Sequence, residues 1–186
     1  MHIQWLGEGG IKITTKKAND EKCVIIIDAP GAESGIKVRG GVEADIVLES
    51  HQVINPDAIP TANPHYYLGI PGEYEMQGIP CMGRLINGTI AWRSEIEGMS
   101  VGHLGALKGA LTESERAMFT DMDVLLVPVG GAGVLNAKEA AELVRSLEPK
   151  IVIPLYHAMP ELKTPREVVE KFIKELPCPQ EQTEKV

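Results

Sequence analysis

At 186 residues the chain is sized for one compact domain, and a domain of this length buries roughly 70% of its unfolded surface without needing disulfides. Hydrophobic residues make up 44% and charged residues 24%, which disfavours both disorder and a membrane protein, while an aromatic share of 4% leaves the core to Val, Ile, Leu and Ala. The formal net charge of -8, with no basic run, argues against nucleic acid as a partner, because a polyanion is bound by Lys and Arg neutralising phosphates.

Met1 to Gly10 lacks a basic segment followed by an apolar one, and the longest apolar runs, Val24 to Ile27 and Val124 to Val129, are too short to span a bilayer. Cys23, Cys81 and Cys178 form no C-x-x-C pair, and so sparse and odd a set reads as free thiols in a reducing compartment. The expected location is the cytoplasm, with no membrane partner.

In chain order, short runs rich in Val, Ile and Thr alternate with Gly, Pro, Asn and Asp, the pattern of strands and turns. Strands are expected at His2 to Leu6, Gly10 to Thr15, Cys23 to Asp28 and Asp45 to Glu49. Further strands are expected at His65 to Leu68, Glu73 to Gln77, Thr89 to Ile96 and Met99 to His103. Glu73 and Glu75, two apart, share one strand face, and a solvated face accounts for them better than paired acid–base work.

After Leu111 strands alternate with helices. Three helix starts carry the residues of a reciprocal cap: Thr112 with Glu115, Asn136 with Glu139, and Thr164 with Glu167, the last with Pro165 at the first helical position. Ala137, Ala140, Ala141 and Val144 form one apolar helical stripe, and Val168, Val169, Phe172, Ile173 and Leu176 another. Asp123 to Val129 and Lys150 to Leu155 read as strands covered on both faces. A strand-rich start followed by β-α-β-α implies mixed sheets with helices packed outside, and residues 177–186 form a frayed tail.

Three histidines stand at or just past strand ends: His51 after Asp45-Ile-Val-Leu-Glu-Ser50, His103 in Val101-Gly-His-Leu-Gly105, and His157 after Ile151-Val-Ile-Pro-Leu-Tyr156. Strand ends are where a rigid scaffold presents catalytic and metal-binding groups. A second candidate is Gly130-Gly-Ala-Gly133, between a buried strand and a helix, where backbone N–H groups of Gly130, Gly131 and Gly133 could cradle an anion. Neither G-x-G-x-x-G nor Gly-Lys-Ser/Thr accompanies it.

The stretches Ile3-Gln-Trp-Leu-Gly7, Val24-Ile-Ile-Ile-Asp28, Ala44 to Leu48 with Ser50-His51, Pro71-Gly-Glu-Tyr-Glu75, Gly102-His-Leu-Gly105, Asp123 to Gly131, and Glu148 to Pro154 with His157 follow one another in an order that resembles the metallo-β-lactamase superfamily. Within it, the chain is similar to the small branch around ascorbate-6-phosphate lactonase. The resemblance spans nearly the whole chain and implies an α/β (α+β) fold, an αββα sandwich of two mixed sheets flanked by helices, as a single domain over residues 1–186.

The family's hydrolases hold one or two zinc ions through His-x-His-x-Asp-His, a later His, a bridging Asp and a final His, and the metal lowers the pKa of a bound water to about 7. Here the run is His51-Gln-Val-Ile-Asn-Pro56, with Val53, Asn55 and Pro56 at the places of the second His, the Asp and the last His. Ala106 stands where the bridging Asp belongs. The resemblance leaves His51, His103 and His157 as metal candidates, with Asp28 and Asn55 placed behind them to orient a ligating imidazole.

Both motif carboxylates that would offset a dication are gone, so two tightly bound zinc ions are not expected, and the cofactor is either none or one weakly bound zinc or manganese. Three readings of function stay open. The chain is a pseudo-hydrolase, catalytically weak or inactive, with a binding or assembly role. It is a single-metal hydrolase of small esters, lactones or phosphorylated metabolites. Or it is an anion-binding module using the Gly130 to Gly133 turn. A small anionic metabolite is the expected ligand, and a homo-oligomer is compatible with the sequence.

Overall fold

The computed structural model describes residues 1–17, 20–31, 34–36, 44–51 and 66–181. Eleven strands form two mixed sheets among these residues. The five-stranded sheet runs β1 (His2–Gly7), β2 (Gly10–Lys16), β3 (Lys22–Ile27), β4 (Ile46–Leu48), β5 (Tyr66–Leu68), antiparallel through β3 and parallel thereafter.

The six-stranded sheet contains β6 (Gly72–Met76), β7 (Ile79–Ile86), β8 (Thr89–Ile96), β9 (Met99–His103), β10 (Val124–Pro128) and β11 (Ile151–Leu155). These strands lie side by side in chain order, antiparallel through β9 and parallel thereafter. Helices α1 (Glu113–Phe119), α2 (Ala137–Leu147) and α3 (Val169–Glu175) lie among the parallel strands in sequence.

Period-two alternation sorts the apolar side chains into layers. On β3, Cys23, Ile25 and Ile27 enter the core between the sheets, while Val24 and Ile26 join a smaller cluster with Ala44 and Val47 on the other face. On β10, Val124 and Leu126 face the inter-sheet core, and Leu125 and Val127 face the layer holding Ala140, Ala141, Val144, Leu147 and Phe172. Of the expected αββα sandwich the two mixed sheets and one helical layer are present, and among the described residues all three helices pack in that one outer layer.

Three hairpins in succession turn on Gln77-Gly78, Asn87-Gly88 and Glu97-Gly98, each with both residues at positive φ, as tight two-residue turns demand. The strand β7 between the first two was not expected from sequence, because Pro80 and Gly83 interrupt its apolar pattern. Gly83 has a packing reason: a Cβ there would meet the Trp92 ring at 2.5 Å.

The caps at Thr112 and Asn136 form as expected. The third does not. Residues 164–167 carry no helix, and α3 begins past them with Val168 at its N-cap and no side-chain cap. Glu167 is occupied elsewhere: its Oε2 accepts the Ala137 N–H opening α2, its Oε1 meets Lys171 Nζ at 2.8 Å, and its N–H donates to Gly130 O. Tertiary bonds have taken the groups a local box would use. Of the second apolar stripe, Val168 to Leu176, only Phe172 and Leu176 are buried, and Val168 is exposed.

Of the two strands expected to be covered on both faces, β10 is buried throughout, whereas β11 is the sheet edge and half-buried, with Ile151 exposed. Edge strand β6 turns Glu73 and Glu75 to solvent, as a solvated strand face requires. Residues 177–181 are exposed and outside any element; the rest of the expected tail, and the first residue of the strand expected from His65, lie outside the described residues. No helix among the described residues is long and apolar enough to cross a membrane.

Candidate active site

One edge of the sandwich collects the ends of several strands. Asp28 follows β3, Glu49, Ser50 and His51 follow β4, His103 closes β9, and Tyr156 and His157 follow β11. The turn Glu8-Gly9 between β1 and β2 lies against them, since the Tyr156 N–H donates to Glu8 O at 3.0 Å and a Cβ on Gly9 would meet the Tyr156 hydroxyl.

Backbone strain marks the same edge. Among the described residues ten non-glycine residues have positive φ, and seven of them sit at turns or helix ends: Glu8, Asp20, Gln77, Asn87, Glu97, Asp121 and Glu148. The other three are Asp28, Ala132 and Tyr156, with φ of 49°, 49° and 56°. Asp visits the left-handed region readily, but a bulky Tyr there is costly and persists where surrounding contacts enforce it, commonly at ligand clamps and active sites.

Asp28 and Glu49 are buried beside one another. The Asp28 carboxylate accepts the Ser50 N–H at 2.6 Å and the Ser50 hydroxyl. Glu49 receives no such help: burial first, then the Asp28 charge and a hydrogen bond to Asp28, push its carboxyl up to about 8. Burial beside Asp28 thus favours the protonated form of the Glu49 carboxyl.

His51 is mostly exposed, its side chain 67% accessible, with Nδ1 4.0 Å from Asp28 Oδ1 and Nε2 3.8 Å from Glu49 Oε2. Donor atoms of Asp28, Glu49 and His51 lie within 4.8 Å of one another, and this is the one such group among the described residues. Asp28 was expected to orient a ligating histidine; in the structure its carboxylate is bonded to Ser50 instead, and His51 stands beyond hydrogen-bond reach.

The three histidines singled out from sequence are not brought together. His103 is fully buried, and both ring nitrogens are committed: Nδ1 accepts the Gly105 N–H at 3.1 Å, which leaves Nε2 to carry the proton and donate it to Gly9 O at 2.9 Å. No lone pair remains for a metal. His157 lies against Trp5 with ring centroids 4.5 Å apart and tilted by 37°, it donates from Nδ1 to Ala158 O, and burial lowers its pKa.

Ala106 offers no ligating atom, its N–H being spent on Thr89 Oγ1. Val53, Asn55, Pro56 and His65 lie outside the described residues.

Sequence reasoning passed over Glu49 and Tyr156. Glu49 is the one charged residue of β4 and its flank, Asp45 to Ser50, that follows the apolar run Ile46-Val-Leu48, a position that could have flagged it. Tyr156 precedes the histidine taken as a ligand, and its phenol is held well above its ordinary pKa, first by burial and then by Asp28 and Glu8.

Of the three glycine N–H groups singled out in the sequence, that of Gly131 is taken within the turn. It donates to Leu135 O, and the first amides of α2 are taken by Asn136 Oδ1 and Glu167 Oε2. The turn's carbonyls point outward: Arg166 Nη1 donates to Gly131 O at 2.8 Å and to Ala132 O at 3.2 Å.

Residues 2–156 match the model of the Beta-lactamase superfamily domain. The chain belongs to the metallo-β-lactamase superfamily. It is 26% identical over 192 residues to a UPF0173 metal-dependent hydrolase of Methanoregula boonei, covering 84% of this chain and 82% of that protein. Its fold superposes on a candidate Zn-dependent hydrolase of the superfamily from Thermotoga maritima with a TM-score of 0.84 and 29% identity, over 100% of this chain and 91% of the other. A candidate metal-dependent hydrolase from Parabacteroides distasonis shares the fold at a TM-score of 0.66 and 16% identity, over 94% and 87% of the two chains. The superfamily assignment makes a metal cofactor a question for the site itself.

Proposed function

We propose that this metallo-β-lactamase-fold protein has lost the paired metal centre of the family's hydrolases and uses the same strand-end edge for binding rather than hydrolysis. The observation that carries this reading is His103. An imidazole ligates through a nitrogen lone pair, and the hydrogen bonds to Gly9 and Gly105 leave it none. Ala106 compounds the loss, since a carboxylate there would be the bridge between two metals.

The residues present do not fit a two-metal site. A second reading, favoured by the proximity of Asp28, Glu49 and His51, is a single divalent cation. Those three residues would hold it, two carboxyl groups offsetting its charge, and the bound cation would supply an acidified water for hydrolysis of a small ester, lactone or phosphorylated metabolite. The proton on Glu49 competes with it.

Elemental analysis after loading with zinc or manganese and exhaustive dialysis separates the two. The first reading expects well under one equivalent and no turnover of model esters or lactones. One equivalent lost on Glu49→Gln, with turnover, would support the second. Two retained equivalents that disappear in His103→Ala would overturn both.

A further inference from the structure

Arg166 lies in the segment between β11 and α3, and its side chain is 91% buried by its 9% accessibility. Each part of the guanidinium but one is engaged. Nη1 donates to the carbonyls of Gly131 and Ala132, the plane lies 5.2 Å over the Tyr156 ring, and Nη2 reaches Glu8 Oε1 at 3.4 Å. Nε is buried and has no acceptor among the described residues. A guanidinium receives a carboxylate or phosphate side-on through Nε and Nη2, whose N–H bonds run parallel. On this edge Glu8 supplies a single oxygen, at the long limit of a hydrogen bond, and leaves the other prong unpaired.

Cost and placement point the same way. An unpaired buried donor on a charged group is expensive, and it is kept here by three residues in left-handed backbone, Glu8, Ala132 and Tyr156, all touching the guanidinium. Tyr156 and the glycine turn hold the face and the far edge of Arg166, so that the free prong is fixed in orientation.

We infer that the Nε–Nη2 edge of Arg166 is the receptor for a small oxyanion, a carboxylate or a phosphate group of a ligand that displaces Glu8 and pairs with both prongs. The glycine turn singled out in the sequence then serves anion binding at one remove: its carbonyls aim the arginine. The inference deepens the binding role proposed above by naming the ligand's chemical class, and it uses no residue of the Asp28–Glu49–His51 group.

The test uses full-length protein stripped over a chelating resin and titrated calorimetrically with inorganic phosphate and, separately, with acetate, against sodium chloride at matched ionic strength. Saturable binding of either is expected; phosphate alone points to a phosphorylated ligand, acetate alone to a carboxylate. Glu8→Gln, which removes the competing charge, should tighten binding roughly tenfold. Arg166→Lys, which keeps the charge but not the fork, should weaken it by at least about tenfold. Absence of binding in both wild type and Glu8→Gln, or equal affinity in wild type and folded Arg166→Lys, would overturn the inference. With metal absent throughout, failure here leaves the dismantled centre standing, and a retained metal pair would leave the fork standing.

Discussion

Glu49 is the residue whose chemistry the fold alters most. In the unfolded chain its carboxyl titrates near its ordinary 4.5; in the native protein it is pushed up to about 8 by burial and by Asp28. Between those values the native state holds a proton the unfolded state has released, so stability falls as pH rises through that window and levels off above it. Each displaced unit is worth about 1.4 kcal/mol. Glu49→Gln, which keeps the shape and removes the titration, should flatten the decline in denaturant unfolding between pH 5 and 8. An unchanged slope would mean that another group carries the proton.

Among the elements, α2 is the instructive one, because its first turn is capped twice, by Asn136 from its own sequence and by Glu167 from 30 residues away. Glu167→Ala should cost about 1 kcal/mol by chemical denaturation, the worth of a helix cap, and Glu167→Gln less. The Thr112 and Asn136 caps were legible because both partners lie within one turn, and strands such as Thr89–Ile96 and Met99–His103 because glycine-bearing turns at Asn87-Gly88 and Glu97-Gly98 bracket them.

What was not legible required knowledge of partners distant in sequence. Glu167 reads locally as a box partner for Thr164, and nothing near it announces Ala137 and Gly130. β7 was hidden by Pro80 and Gly83, although Asn87-Gly88 marked its far end. The same limit applied to the site: three histidines at strand ends were visible, but whether their nitrogens were free depended on Gly9 and Gly105, and the carboxyl group that stands next to His51, Asp28, comes from another strand.

At the scale of the molecule, His103 is a tie between the sheets: its strand belongs to the six-stranded sheet, and the carbonyl it meets belongs to the β1–β2 turn of the other. His103→Ala would leave a void and strand a buried carbonyl and a buried amide, a loss of roughly 2–4 kcal/mol. Thermal and denaturant unfolding should show this loss equally with and without added zinc. A loss seen only in the presence of zinc would return His103 to the role of ligand.

The charges on β6 have a consequence for how copies of the chain meet. Were two molecules to join their six-stranded sheets by antiparallel β6–β6 pairing centred on Tyr74, each Glu73 would oppose the partner's Glu75, stacking four like charges on one surface. At the opposite margin, Pro154 in β11 has no N–H to give an incoming strand. Both borders of the larger sheet thus resist end-to-end growth into ribbons.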